Sequence, residues 1–201
     1  MSFQTAHDDH HRTAGFSLLE LSLVLIIITL LMGTVLRGEN LMDEGRLHRL
    51  ALDQAAVATA VQSYVRLYHF FPGDDPKARE RWPGAINGDG DGRILLLSPE
   101  ETQAWNHLIL SHLFVPKSIS NGYPQHILGG NFRLIHHAAR LPGVTLCMED
   151  LLSLQAMAFD NRHDDGDGRE GRIRNPGPSL NTNDTAPWPI EGERVTICVA
   201  L

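Results

Sequence analysis

Residues 16–36, FSLLELSLVLIIITLLMGTVL, form an apolar run in which Glu20 is the only ionisable side chain. A helix of this length, rising about 1.5 Å per residue, reaches about 31 Å, which matches the thickness of a bilayer's hydrocarbon core. The apolar part of a cleaved secretory signal is shorter, about 7 to 15 residues. The run therefore predicts a membrane-spanning helix.

The composition of the whole chain is that of a folded protein rather than a disordered one. Of 201 residues, 42% are hydrophobic and 20% are charged, and the formal net charge is −7. About 165 residues follow the apolar run, which is enough for one domain and too few for two ordinary ones. The acidic balance argues against a nucleic-acid surface, because such a surface needs clustered Lys and Arg.

Glu20 stands out because a lone carboxylate in mid-membrane costs on the order of 2.5 to 3.5 kcal/mol on insertion scales. Either it lies close enough to the interface to reach headgroups and water, or it has a partner. The flanking charges leave the orientation of the helix open. Arg12 is the only Lys or Arg before the run, whereas Arg37, Arg46 and Arg49 follow it.

Residues 15–20 read GFSLLE and lead directly into the apolar run. This junction resembles the processing site of type IV prepilins and type II secretion pseudopilins. The resemblance implies that a prepilin peptidase cuts after Gly15 and methylates the new N-terminal amine of Phe16. Residues 1–15 would then be a leader, and residues 16–36 would form the transmembrane and assembly helix.

The same resemblance implies a partner for Glu20. As the fifth mature residue, its carboxylate would pair with the N-terminal ammonium of an adjacent subunit and set the axial register of a filament. A mismatched register would leave both charges buried without partners. The implied partners are other pilin or pseudopilin subunits, with no nucleic acid for the isolated subunit. The implied location is the bacterial inner membrane, single-pass with a periplasmic head, and the filament after assembly.

Residues 37–70 continue the helix with an amphipathic pattern. Apolar side chains recur at steps of three and four at Leu47, Leu50, Ala51, Ala55, Ala58, Val61, Val65 and Tyr68. We expect a nearly continuous helix from Phe16 to about Phe70, ended at the latest by Pro72 and Gly73. The stripe lacks sustained heptads with flanking charge pairs, which favours packing against the protein's own head domain over a coiled coil.

Residues 71–201 are expected to form a head domain of class α+β. The predicted elements are helices over 100–113 and 149–159 and strands over 127–136, 144–148 and 194–201. The resemblance implies a pilin-like architecture, in which a long N-terminal helix packs on a small antiparallel sheet. Long loops rich in Gly and Asp complete the head.

The loop 71–98 contains part of a calcium-binding pattern. Asn87, Asp89 and Asp91, followed by a glycine and an apolar residue, match the first eight positions of an EF-hand-type loop. Position twelve is Ser98 instead of the bidentate glutamate. The alternative is a solvated hairpin turn of the Asn-Gly or Asp-Gly kind.

A second acidic cluster consists of Asp160, Asp164, Asp165 and Asp167. Asp164 and Asp165 are candidate calcium ligands, which either complete the first site or form a site of their own. The resemblance to calcium-binding pseudopilins, in which the metal ties down a loop of the head, allows the second possibility. Calcium is therefore the expected cofactor, and His163 is expected to be exposed, because calcium prefers oxygen ligands.

Cys147 and Cys198 are the only cysteines, and both lie in apolar, strand-like contexts. A periplasmic head would favour a disulfide between them. Closing a loop of about 50 residues would stabilise the fold by roughly 4 kcal/mol in the chain-entropy model. The alternative is two buried free thiols.

Eleven histidines raise the question of enzymatic activity. His107 and His112 are five residues apart, whereas the HExxH motif places its histidines four apart. GxSxG, Walker and CxxC motifs are absent from the sequence. Together with this absence, the resemblance implies a non-catalytic structural subunit, a pseudopilin or minor pilin of a type II secretion system or a type IV pilus. The alternative is a singly membrane-anchored periplasmic domain, calcium-binding or enzymatic, that forms no filaments.

Overall fold

The computed structural model describes residues 16–180, 184–190 and 192–201, and of residues 34–41 it describes the backbone only. The predicted leader, with the cleavage position Gly15, lies outside the described residues. The chain divides into two compact units, with the boundary between Asp43 and Glu44.

The longest element is helix α1, Leu18–Tyr68. Ser17 caps its N-terminus, because the Ser17 Oγ accepts a hydrogen bond from the backbone N–H of Leu19 at 3.1 Å. The helix ends where His69 adopts a positive φ of 63°, outside the helical region. The predicted helix over 16–70 is confirmed to within two residues at each end.

In the first unit, every described side chain from 16 to 33 is exposed. Thirteen of them are large and apolar, with exposed fractions from 43% at Ile28 to 87% at Leu18. Among the described residues, no helix contains an apolar stretch long enough to cross a membrane. The predicted span 16–36 continues beyond Gly33 into positions whose side chains lie outside the described set.

In the second unit, α1 buries one face against the head. The buried apolar residues of this face are Leu47, Leu50, Val57, Ala60, Val61 and Tyr64. Packing against the head is therefore confirmed, but the predicted stripe was partly wrong, since Ala55 is exposed. Residues seven apart, such as Leu50, Val57 and Tyr64, differ by only about 20° per step around a helix, whereas Ala55 lies about 140° from Leu50.

The described residues of the head form three further helices and six short strands. The helices are α2 (Ala78–Arg81), α3 (Pro99–Leu110) and α4 (Ser153–His163), with a 3₁₀ turn at Ala138–Arg140. The strands are β1 (Ile119–Ser120), β2 (Tyr123–Pro124), β3 (Phe132–His136), β4 (Val144–Leu152), β5 (Ile173–Arg174) and β6 (Arg194–Ala200). Strands β1 and β2 form a separate antiparallel pair. The other four form an antiparallel sheet in the order β3-β4-β6-β5.

The core lies between this sheet and the helices that pack on it. Tyr64 of α1, Trp105 of α3, Phe159 of α4 and Leu146 of β4 belong to one buried apolar cluster. Cys147 and Cys198 lie directly opposite each other on β4 and β6 and form a disulfide. The α+β class and the disulfide are thus confirmed.

Several element boundaries were predicted wrongly. The helix expected over 100–113 ends at Leu110. The helix expected from residue 149 begins at Ser153, because residues 149–152 belong to β4, in which Leu151 and Leu152 pair with β6. The strand expected over 127–136 is limited to β3. Before it the chain turns, with the Gly129 amide donating to the His126 carbonyl at 2.9 Å. Strand pairing overrides local propensity at residue 149, and a tight turn does so before β3.

Candidate functional site

Four carboxylates from three separate segments converge in the head. One oxygen each of Asp74, Asp89, Asp91 and Glu100 lies within 4.8 Å of one oxygen of every other member. We call this group the Asp74 cluster. Asp74 lies in the segment that follows α1, and Glu100 lies in the first turn of α3. Asp89 and Asp91 lie between them in residues 87–93, which we call the Gly-rich loop.

Backbone amides of the Gly-rich loop hold each of these carboxylates by one oxygen. Asp74 Oδ2 accepts from the Gly92 amide at 3.0 Å, and Glu100 Oε1 accepts from the Asp89 amide at 3.1 Å. Asp89 Oδ1 accepts from the Asp91 amide at 3.0 Å. Asp91 Oδ1 accepts from the amide two residues further on, at 2.8 Å. The second oxygen of each carboxylate is not used in these bonds.

Two glycines allow the three segments to approach so closely. A Cβ at Gly88 would overlap the backbone of Gly73 and Asp74, and a Cβ at Gly73 would overlap the carbonyl of Glu100. A larger residue at either position would push the segments apart. The Asp74 cluster therefore depends on backbone contacts as well as on its acidic side chains.

Asp74 is the buried member of the cluster. Asp74 is only 1% exposed, and its Oδ1 has no hydrogen-bond partner among the described residues. Burial raises the pKa of Asp74 and of Glu100, and the neighbouring carboxylates of Asp89 and Asp91 act in the same direction. A set of oxygen ligands with excess negative charge is what a hard cation such as calcium requires.

Of the three residues predicted for the first site, two lie in the Asp74 cluster. The structure brings Asp89 and Asp91 together, but Asn87 is not part of the cluster. Its Oδ1 accepts a hydrogen bond from the backbone amide of Arg79 in α2 at 2.8 Å. Sequence reasoning missed Asp74 as a member and left Glu100 unassigned, because neither fits the spacing of a single continuous binding loop.

The residues next to two cluster members have structural roles. Asp75 is fully buried, accepts a hydrogen bond from the Tyr64 hydroxyl at 2.8 Å and is ion-paired with Arg81. Burial of Tyr64 raises the pKa of its phenol, and the carboxylate of Asp75 adds to this shift. Glu101 is fully buried and ion-paired with Arg133. These pairs fix α1 and α3 to the rest of the head.

A second group, which we call the Asp160 cluster, contains Asp160, Asp164 and Asp165 within 4.8 Å. Asp164 and Asp165 thus join a separate group and do not complete the first site. Asp160 is fully buried, its Oδ2 accepts from the Trp188 indole N–H at 3.0 Å, and its Oδ1 has no partner within the described residues. Burial raises its pKa. Asp167 is not in the group and is ion-paired with Arg169 at 3.6 Å.

Two buried histidines bind backbone groups with both ring nitrogens. His107 Nδ1 accepts from the Gly73 amide at 2.9 Å, and its Nε2 contacts the Ile86 carbonyl at 2.8 Å. His126 has the same arrangement, between an amide at 3.2 Å and a carbonyl at 2.8 Å. Since an amide only donates and a carbonyl only accepts, both rings are neutral with the proton on Nε2. Burial lowers the pKa of both imidazoles.

Glu20 lies in the first turn of α1 and is exposed. It stands three residues after the N-cap Ser17, the spacing of a capping box. This spacing is compatible with a capping role for the glutamate, which is separate from the assembly role that the resemblance implies.

Comparison with known proteins gives no matching family model, no matching curated protein and no matching solved structure. The function is therefore inferred from the chain's own residues alone.

Proposed function

We propose that this chain is a structural, non-catalytic subunit of a pilin-like filament. It would be a pseudopilin or minor pilin of a type II secretion system or a type IV pilus. A prepilin peptidase would process it after Gly15, and residues 16–36 would anchor it in the inner membrane before assembly. The head would then lie in the periplasm.

The supporting observation is the exposed apolar surface of α1 from residue 16 to residue 33. Its large apolar side chains point in all directions around the helix axis, as consecutive positions such as Ile26, Ile27 and Ile28 are all exposed. A surface helix of a soluble domain keeps a polar face. A contiguous exposed apolar surface of this kind indicates contact with lipid or with other apolar helices.

The polar side chains of this segment support the same conclusion. The hydroxyl of Ser22 donates to the Leu19 carbonyl at 2.8 Å, and that of Thr29 donates to the Ile26 carbonyl at 2.8 Å. These hydroxyls therefore need no water or outside partner, which suits a helix in apolar surroundings. The carboxylate of Glu20 then remains as the one ionisable group of the run.

Two roles for Glu20 make different demands on its side chain. A capping role needs only a hydrogen-bond acceptor, which glutamine also provides. Pairing with the ammonium of a neighbouring Phe16 needs the negative charge. Substitution by glutamine therefore separates the two roles.

The test is incorporation into filaments sheared from cells that contain a prepilin peptidase and a pilus or pseudopilus assembly system. We expect Glu20→Gln and Glu20→Ala both to lose most of the incorporation while membrane levels stay unchanged. Glu44→Gln, which changes an exposed carboxylate on the same helix, is the matched control and should behave as the unmodified chain.

Three results would count against this proposal or part of it. Full incorporation of Glu20→Gln with loss of Glu20→Ala would assign the residue to helix capping alone. Normal incorporation of both variants would remove Glu20 from assembly. A chain found only in the membrane fraction, never in sheared filaments, would favour an anchored calcium-binding domain without filaments.

A further inference from the structure

We propose that Asp74, Asp89, Asp91 and Glu100 bind one calcium ion, which joins the Gly-rich loop to the N-terminus of α3. This inference is independent of filament assembly. It uses only residues of the second unit, and the ligand set differs from the one that the sequence pattern indicates by including Asp74 and Glu100 and excluding Asn87.

The first argument is the unpartnered oxygen of a buried carboxylate. Asp74 is 1% exposed, and its Oδ1 has no hydrogen-bond partner within the described residues, although its Oδ2 has one. A buried polar atom without a partner is costly, and a buried negative charge more so. The carboxylate extends into a group of three other carboxylates, where a cation would provide the missing partner.

The second argument is the distribution of arginines around the cluster. Asp75 and Glu101, each adjacent in sequence to a cluster member, are ion-paired with arginines. None of the ion pairs between described residues includes a member of the Asp74 cluster. The fold thus provides arginines for the neighbouring acids, whereas no ion pair among the described residues neutralises the four clustered ones.

The ligand types favour calcium over other common ions. The group offers oxygen only, with neither His nor Cys among its members, which disfavours zinc. Magnesium requires nearly ideal octahedral geometry at about 2.0 to 2.1 Å, whereas calcium accepts six to eight oxygens in irregular arrangements at about 2.3 to 2.6 Å. Asp89 and Asp91 are exposed, so water can complete the coordination shell.

Binding has a structural consequence because the ligands come from three segments. The ion would hold the segment after α1, the Gly-rich loop and α3 together and would offset the mutual repulsion of four carboxylates. Since the unfolded chain lacks the preformed site, calcium should stabilise the folded state by mass action.

The experiment compares thermal unfolding of the full chain in a mild detergent with EDTA, with 1 mM CaCl₂ and with 1 mM MgCl₂. We expect calcium to raise the Tm by about 5 °C or more and magnesium to have a much smaller effect. Calorimetric titration with CaCl₂ gives the affinity and the number of ions bound.

Two exposed aspartates provide a matched pair of variants. Asp89 and Asp165 both accept a hydrogen bond from the amide two residues further on, at 3.0 and 2.9 Å. Asparagine keeps that acceptor and removes only the charge, so both variants should fold. We expect Asp89→Asn to lose most of the calcium-dependent rise in Tm and at least tenfold in affinity, and Asp165→Asn to retain both.

Asp74→Asn tests the buried member directly. Without calcium its Tm should equal or exceed that of the unmodified chain, because one of four repelling charges is gone, and calcium should no longer raise it. The proposal is overturned if calcium leaves the Tm of the unmodified chain unchanged. It is also overturned if Asp89→Asn responds normally, or if Asp165→Asn alone loses the response, which would place the ion in the Asp160 cluster.

Discussion

The two parts of α1 are both helical, but their side chains differ in exposure. From residue 16 to residue 33 every described side chain is exposed, whereas from Leu47 to Tyr64 a continuous face is buried against the head. Packing within the chain stabilises the second part. The first part has an apolar surface that the described residues of its own unit do not cover, and this is the surface that the proposed anchoring and assembly would use.

The polar groups of the two parts differ in the same way. Ser22 and Thr29 in the first part bond to carbonyls of their own helix. In the second part, Tyr64 donates to Asp75 of the head, and Asp53 is ion-paired with Lys117. Side chains of the second part therefore fix the helix to the head, whereas the hydroxyls of the first part bond within their own helix.

The largest expected effect follows from opening the Cys147–Cys198 disulfide, which spans 51 residues of sequence. Replacing both cysteines by alanine should lower the free energy of unfolding by about 4 kcal/mol in the chain-entropy model. Urea unfolding of the chain in detergent, followed by tryptophan fluorescence and by circular dichroism, measures it. If the second part of α1 unfolds with the head, both signals should shift together. Separate transitions would contradict that.

A pair of leucine-to-alanine variants compares the two parts of α1 directly. Leu50 is fully buried and Leu23 is 57% exposed. We expect Leu50→Ala to lower the free energy of unfolding of the head by about 3 kcal/mol, since it leaves a cavity. Leu23→Ala should change it by less than about 0.5 kcal/mol. Equal changes in the free energy of unfolding, measured in urea, would contradict the difference between the two parts.

A smaller effect is expected from pH, and it should be confined to the head. Burial lowers the pKa of His107 and His126 in the folded protein, while in the unfolded chain the value stays near 6.5. Below about pH 6.5 the unfolded chain therefore binds protons that the folded head does not bind, and stability falls. The Tm should decrease between pH 7.5 and pH 5.5, less steeply in His126→Gln. A Tm that rises as the pH is lowered from 7.5 to 5.5 would be inconsistent with neutral buried imidazole rings.

The features that the sequence predicts correctly are those with a local signal. Helical periodicity indicates α1, and two cysteines in strand-like contexts indicate the disulfide. Local propensity fails at Glu149, which lies in β4 and donates its amide to the Asn131 carbonyl at 3.0 Å. It also fails to find Asp74 as a member of the acidic cluster, because that residue reaches the cluster only through the close backbone approach at Gly73 and Gly88. A spacing rule describes one continuous loop, and this cluster joins three segments.

The most direct test of the proposed function is the N-terminal mass of the membrane-extracted protein from cells with and without an active prepilin peptidase. The account predicts a chain that begins with N-methylated Phe16, found only when the peptidase is active. An intact Met1 in both strains, or cleavage at another position, would contradict it and leave residues 16–36 as an ordinary anchor.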